Sequence, residues 1–276
     1  MHLIKFRFLV MIITLTSDFG LKDHYVGSLK GLIYSGFLQA TIVDISHMIA
    51  PFATYQATYV VGASYFNFPE GTLHLVLVDA EVHHRNKPVL IYWNKHYFLC
   101  SDNGILSLLT QNKPPEFIIA LDFESGIDIT SFFAQTACKI AKGQSVFELG
   151  KKIEKLKDFQ SLKAIVSEDN KRITGNIIYI DNYGNAISNI SRELFEQVRN
   201  GRSFEILFRN YRITEVYNSY TDYSLKNSDG KGGKLALFNS LSLLKISIYK
   251  GSPRSGGTAS SLFGIEYEST ISVQFL

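Results

Sequence analysis

The chain changes rhythm near residue 150, and that change restricts the architecture more than any single motif. Before it, short β-branched runs alternate with stretches of helical spacing. Ile12–Thr16 is apolar and is cut off by Ser17-Asp18-Phe19-Gly20. Tyr25–Ser35 then places Val26, Leu29 and Ile33 on one helical face. Thr41–Ile45 predicts a second strand and Thr54–Phe66 a helix rich in Ala and Tyr. Leu73–Val78 is almost continuously apolar, as in strands buried on both faces. Val89–Trp93 and Tyr97–Cys100 predict a hairpin, Gly104–Thr110 a helix start, and Phe132–Lys142 a helix stopped by Gly143. Such alternation points to an α/β layer architecture. From Ile173 the pattern differs. Ile177–Ile180, Phe204–Phe208, Leu235–Phe238, Lys245–Tyr249 and Ile271–Phe275 are short strands separated by Gly, Asn and Ser, which predicts a smaller all-β domain. Between the two lies Lys151–Arg172, rich in Lys and Glu, which reads as a solvated helix plus linker. The expected division is an N-terminal α/β domain over residues 1–165 and a C-terminal domain over 166–276.

Composition excludes several classes. At 276 residues and 46% hydrophobic, the chain can bury one large core or two modest ones. A net charge of +3 is too small for a dedicated nucleic-acid binder. Cys100 and Cys138 are the only cysteines, so a disulfide framework and a thiolate zinc site are not expected, and a reducing cytoplasm is. Lys5 and Arg7 precede the apolar run Phe8–Thr16, but no small-residue cleavage site follows and the run is about half the ~20 residues of a membrane span. Ile12–Thr16 therefore reads as a buried strand, and residues 1–10 as an extension or a misplaced start.

The chemistry is expected where strands end in carboxylates. Asp18, Asp79 and Asp102 each follow a predicted strand, and open α/β sheets bind ligands beyond the carboxyl ends of their strands. The alternative is a turn or helix cap, which Asp also favours. In the second domain, Asp181-Asn182-Tyr183-Gly184-Asn185 brings together a carboxylate, an aromatic face and an amide, a set able to hold a nucleoside. It equally suits a tight turn. No phosphate-cradling glycine pattern accompanies it, so a nucleoside without phosphates fits better than a dinucleotide. His83-His84 beside Asp79 and Glu81 suggests a metal, but adjacent residues of an extended chain point oppositely, so no metal is expected. Covalent catalysis has no support, because Gly-x-Ser-x-Gly is absent.

In order and spacing these motifs resemble the S-adenosylmethionine (SAM) hydroxide adenosyltransferase family, which is related to the fluorinases and chlorinases. The resemblance runs through Ile13–Gly20, Asp23, Tyr25-Val26-Gly27, Lys30-Gly31, Ile42–His47, Phe68–Thr72, Val78-Asp79 and Asp102-Asn103-Gly104. It resumes at Ile180–Asn185, Ser188-Asn189-Ile190, Phe238-Asn239-Ser240 and Lys250-Gly251-Ser252. It implies a Rossmann-like first domain, a C-terminal β-barrel, and homotrimers with sites between subunits. It also implies hydrolysis of SAM to adenosine and methionine by attack of water or hydroxide on the 5′ carbon, with SAM as substrate and no further cofactor. Carried over, Asp18 holds the ribose hydroxyls, and Phe19, Asp102 and Asn103 are further substrate-binding residues. Asp181, Tyr183 and Asn185 form the second-domain ligand motif, with Tyr183 where Phe is usual. Phe238 and Ser252 lie at the adenine end.

The departures concern the catalytic Asp-Arg-His set of the hydrolases. Asp79 matches its Asp. The family's Asp-Pro-Gly-Val-Gly loop is here Asp79-Ala80-Glu81-Val82-His83, which puts Asn86 at the Arg with Arg85 next to it. Asp128 stands where the His is expected, leaving His83 or His84 as substitutes. The alternatives are a SAM- or adenosine-binding protein without turnover, and a halogenase-like transferase.

Overall fold

The computed structural model describes residues 11–83, 86–110, 113–124, 126–157, 163–228, 230–254 and 256–276. The chain divides into two compact units, Met1–Phe159 and Gln160–Leu276. The first unit contains β1 (Ile12–Ser17), α1 (Tyr25–Gly36), β2 (Thr41–Ser46), α2 (Thr54–Gly62), β3 (Leu73–Leu77), β4 (Pro88–Trp93), β5 (His96–Ser101), α3 (Ile105–Leu109), β6 (Phe117–Leu121), α4 (Ile129–Ala141) and β7 (Gly150–Ile153).

Its sheet has the order β2-β1-β3-β5-β4-β6-β7. The strands β2, β1, β3 and β5 are parallel, while β4 and β7 run antiparallel to their neighbours. The sheet is therefore mixed. The central strand β3 is buried throughout, and its alternating side chains feed two separate cores. Leu73, Leu75 and Leu77 join Leu29 and Ile33 of α1 and Phe133 and Ala137 of α4. Val76 and Val78 face the opposite way, with Ala57 and Val61 of α2 and Ile105 of α3. Helices thus cover both faces. The expected hairpin is present as β4–β5, closed by Asn94 and Lys95 at φ 52° and 68°, the left-handed pair that suits right-twisted strands.

The second unit contains β8 (Ile165–Val166), β9 (Arg172–Ile180), β10 (Ala186–Ser191), α5 (Arg192–Arg199), β11 (Phe204–Phe208), β12 (Tyr211–Ile213), β13 (Val216–Tyr217), α6 (Tyr220–Lys226), β14 (Lys234–Phe238), β15 (Leu243–Ile248), α7 (Ala259–Phe263) and β16 (Thr270–Phe275). Its strands form one sheet in the order β12-β11-β16-β9-β10-β15-β14-β13, with β8 beside β9. The end strand β12 comes back against β14, so the sheet curls to a nearly barrel-shaped form around Ile173, Ile190, Phe195, Ile206, Ile246 and Val273.

Several expectations need correction. Lys151–Arg172 holds no helix among the described residues; it opens with β7 and includes β8. The Thr54–Phe66 helix ends at Gly62, and Tyr65–Asn67 is a separate 3-10 turn. The second unit is not all-β, since α5, α6 and α7 interrupt it. Residues 1–10 lie outside the described residues.

Candidate active site

Ser17 at the end of β1 pairs with Leu77 at the end of β3. Asp18 and Asp79 therefore leave neighbouring parallel strands at the same edge of the sheet. Asp102 leaves the third strand, β5, at that edge too. The β1/β3 boundary is also where the covering helices change face, with α1 on one side and α2 on the other. Such switch points leave a crevice at the carboxyl edge. A cavity of about 510 Å³ occupies it, lined by Asp18, Phe19 and Phe52, by Asp79–Val82, and by Phe123, Ile127, Ile129 and Thr130 among others.

Two residues of this cavity wall have left-handed backbone, Phe52 at φ 65° and Asp79 at φ 47°. For non-glycine residues this conformation is costly and persists only where the surroundings hold it. Here one carboxylate oxygen does so. Asp18 Oδ2 accepts the Phe52 N–H at 3.0 Å and the Asp79 N–H at 3.2 Å. The loop carrying Asp18 is anchored in turn. Ser17 Oγ is 2.7 Å from Nδ1 of the buried His47, and Gly20 N–H donates to the His47 carbonyl. Asp44 Oδ1 lies 3.2 Å from His47 Nε2, and Asp44 Oδ2 accepts from Lys30 at 2.6 Å. Burial pushes Asp44 up, but Lys30 and His47 outweigh it and hold the carboxyl below its ordinary range.

The segment after Asp79 is braced from β5. Asn103 Nδ2 donates to the carbonyls of Val78 and Asp79 at 2.8 and 2.9 Å, and Ser101 Oγ donates to the Ala80 carbonyl at 2.8 Å. Further on, His83 and Asn86 exchange backbone hydrogen bonds. Burial raises the pKa of Asp79, and the neighbouring Asp18 and Glu81 charges add to the rise; His83 and Lys157 oppose it. Asp102 is also raised by burial. Its Oδ2 accepts the Lys157 N–H at 2.9 Å, while its Oδ1 is buried with no partner among the described residues.

In the second unit the Asp181–Asn185 motif is a closed turn. Asp181 Oδ1 accepts the N–H groups of Tyr183 and Asn185, and Oδ2 accepts Asn185 Nδ2 at 2.8 Å. Gly184 has φ 71°, and a Cβ there would meet Thr258 Oγ1 at 2.3 Å, so only glycine fits. Asp181 and Asn185 thus build the frame, and its product is Tyr183, which is 68% exposed. Phe238 is buried, with the Arg192 guanidinium 4.6 Å from its ring centre. Ser252 sits in a small loop, bridged to Gly257, and its hydroxyl accepts the Arg254 N–H.

A family model described as the SAM hydroxide adenosyltransferase N-terminal domain matches residues 13–150, and one for the C-terminal domain matches residues 175–272. The chain belongs to the SAM hydroxide adenosyltransferase family. Two relatives are named (R)-S-adenosyl-L-methionine hydrolase. The one from Methanocaldococcus jannaschii is 30% identical over 187 residues, covering 66% of this chain and 68% of the relative. The one from Thermus thermophilus is 23% identical over 253 residues, covering 86% and 92%. Among solved structures, an uncharacterized conserved protein from Thermotoga maritima matches with a TM-score of 0.80 at 22% identity, covering 96% of this chain and all of that one. At that identity it shows the fold alone.

The residues singled out in the sequence lie in the structure as follows. Asp18, Phe19 and Asp79 share the cavity. Asn103 acts from behind, on the backbone of Asp79. His83 influences Asp79 electrostatically but does not line the cavity. Arg85 and His84 lie outside the described residues. Asp128 caps α4 by accepting the Ser131 N–H at 2.8 Å. No group of three or more His, Cys, Asp or Glu residues among the described residues is arranged to hold a metal ion. Phe52, Phe123, Ile127 and Lys157 were not anticipated from the sequence. Their places depend on contacts between distant segments, and no local pattern announces them.

Proposed function

We propose that this member of the SAM hydroxide adenosyltransferase family hydrolyses SAM to adenosine and methionine. The observation that carries the reading is Asp79 in the cavity wall, a carboxylate with its affinity for a proton raised, beside Asp18. In the reaction, a water oxygen forms the bond to the 5′ carbon while the carbon–sulfur bond breaks. The electron pair goes to sulfur, which leaves as the neutral thioether of methionine, and Asp79 takes the proton from water. Positive charge vanishes at sulfur during the step, so a partly desolvated site favours it. Asp18 would accept from ribose hydroxyls through Oδ1, its other oxygen being engaged with the backbone. The doubly covered sheet with its ligand crevice at the carboxyl edge supports the Rossmann-like description of the first unit. Two buried, unpaired cysteines and no described helix able to cross a membrane agree with a cytoplasmic setting.

Incubated with SAM, the protein is expected to release adenosine and methionine in equal amounts. In water enriched in oxygen-18, the label should enter the 5′ hydroxyl of adenosine. A thermal shift with SAM but no adenosine above the spontaneous rate would instead establish a binding protein. Asp128 favours that second reading to a degree, because its carboxylate is committed to the helix cap.

We also propose that the functional unit is a homotrimer. Leu21, Tyr25, Met48 and Phe52 are large apolar side chains, all exposed and close in sequence to the cavity segments. Covering them is what a second copy of the chain would do, and Tyr183 and the Asp181 turn of that copy would complete the site. Sedimentation should give a trimer at micromolar concentration; a monomer would refute the assembly.

A further inference from the structure

Lys157 is the residue that joins the separate parts of the carboxyl edge. Its backbone N–H donates to Asp102 Oδ2 at 2.9 Å, its carbonyl accepts from Ser107 Oγ at 2.6 Å, and its ammonium donates to Asn86 Oδ1 at 3.1 Å. Asn86 is buried and exchanges backbone hydrogen bonds with His83. A single residue, four positions beyond β7, therefore holds the strand end of β5, the middle of α3 and Asn86. The charges nearby are mostly negative: Asp18 beyond β1, Asp79 and Glu81 on the loop, and Asp102 beyond β5. Against them stand His83 on the loop and Lys157.

We propose that Lys157 is a positioning residue of the hydrolytic site, clasping Asn86, and through it His83, to Asp102 at the end of β5 and supplying positive charge to the carboxylates gathered there. The proposal rests on the reading of Asp79 as the group that takes the proton. Without the Lys157 ammonium, Asp79 stands beside Asp18 and Glu81 with less to offset their repulsion. It then stays protonated to higher pH and loses basic form on the acid side. With the ammonium in place that repulsion is partly offset, while burial and the Asp18 charge still raise the affinity of Asp79 for a proton.

The test titrates Asp79 directly and measures turnover beside it. The protein is labelled with carbon-13 at Asp carboxyls, and Asp79→Asn assigns the signal. In Lys157→Met the Asp79 midpoint is expected to move up, and in Lys157→Arg to return towards wild type. Asn86→Ala, which frees the ammonium without removing it, should move the midpoint the same way but less. Adenosine formation by Lys157→Met should fall about three- to tenfold more at acid pH than at pH 8, the effect of one partly screened charge. An unchanged midpoint and an unchanged pH profile in Lys157→Met would overturn the proposal, whatever happened to its thermal stability. If the wild type releases no adenosine, the hydrolase reading falls, and the carboxyl titration alone still decides the role of Lys157.

Discussion

Asp79→Asn is expected to lower the rate of adenosine formation about 10²- to 10⁴-fold, the range that general-base help contributes. The substitution keeps the shape of the side chain and leaves the backbone bonds that hold Asp79 in its left-handed conformation, to Asp18 Oδ2 and Asn103 Nδ2. Asn also tolerates that conformation better than most residues. Binding of SAM, read by calorimetry, should therefore stay close to wild type, and the loss should fall on kcat. In the wild type the rate should decline on the acid side with a midpoint above the usual carboxylate range, because burial and the Asp18 charge raise Asp79. Retention of full activity by Asp79→Asn would show that alignment alone drives the reaction.

The second large effect concerns stability. His74 lies inside the first unit, its ring stacked on Phe98 at 4.8 Å and edge-on to Tyr65 and Phe68. Thr14 Oγ1 is 2.8 Å from its Nδ1, and His96 Nδ1 is 3.3 Å from its Nε2. Burial, and secondarily the His96 charge, lower the His74 pKa to about 3. His96 is lowered by burial as well, with Glu70 opposing. In the unfolded chain His74 titrates near 6.5, so between there and about 3 the unfolded state binds the extra proton. The contribution of a neutral His74 is complete above pH 6.5 and is lost progressively as pH falls through that window. Its full size is on the order of 5 kcal/mol. Urea unfolding followed by fluorescence should show it, since Trp93 is the only tryptophan and its ring is 5.2 Å from Tyr65 in the same cluster. His74→Phe should flatten the slope of stability against pH below 6.5. An unaltered slope would place the acid sensitivity elsewhere.

What the sequence revealed follows from how locally each feature is encoded. The strands β1 and β3 were legible because both are apolar runs ended by an acidic residue, and burial on both faces demands that composition. Asp18 and Asp79 could be named for the same reason. The edge strand β7 was not legible. It carries Lys151 and Lys152, the charged surface that protects a sheet edge from further pairing, and charge mimics a solvated helix. In α5, eight residues bury only Phe195 and Val198, too few to make a periodic signal. The Asp181 motif shows a different limit. Its residue types fit a ligand set and a closed turn equally well, and only the hydrogen bonds reveal that Asp181 and Asn185 shape the turn while Tyr183 projects. Lys157 is separated from Asn86 by 71 positions, so nothing local connects them.

The double use of Asp18 Oδ2 divides the cavity wall into parts that can change and parts that cannot. Phe52 and Asp79 take their conformations from the same oxygen, so any replacement of Asp18 disturbs both sides of the crevice together. A chain adapting this crevice to a different substrate cannot begin there without losing the placement of Asp79. It can begin at Ile127, just before α4, and at Thr130 in its first turn, which line the same cavity and bear none of that geometry. Selectivity in this protein is thus free to drift along one wall while the chemistry stays pinned to the other.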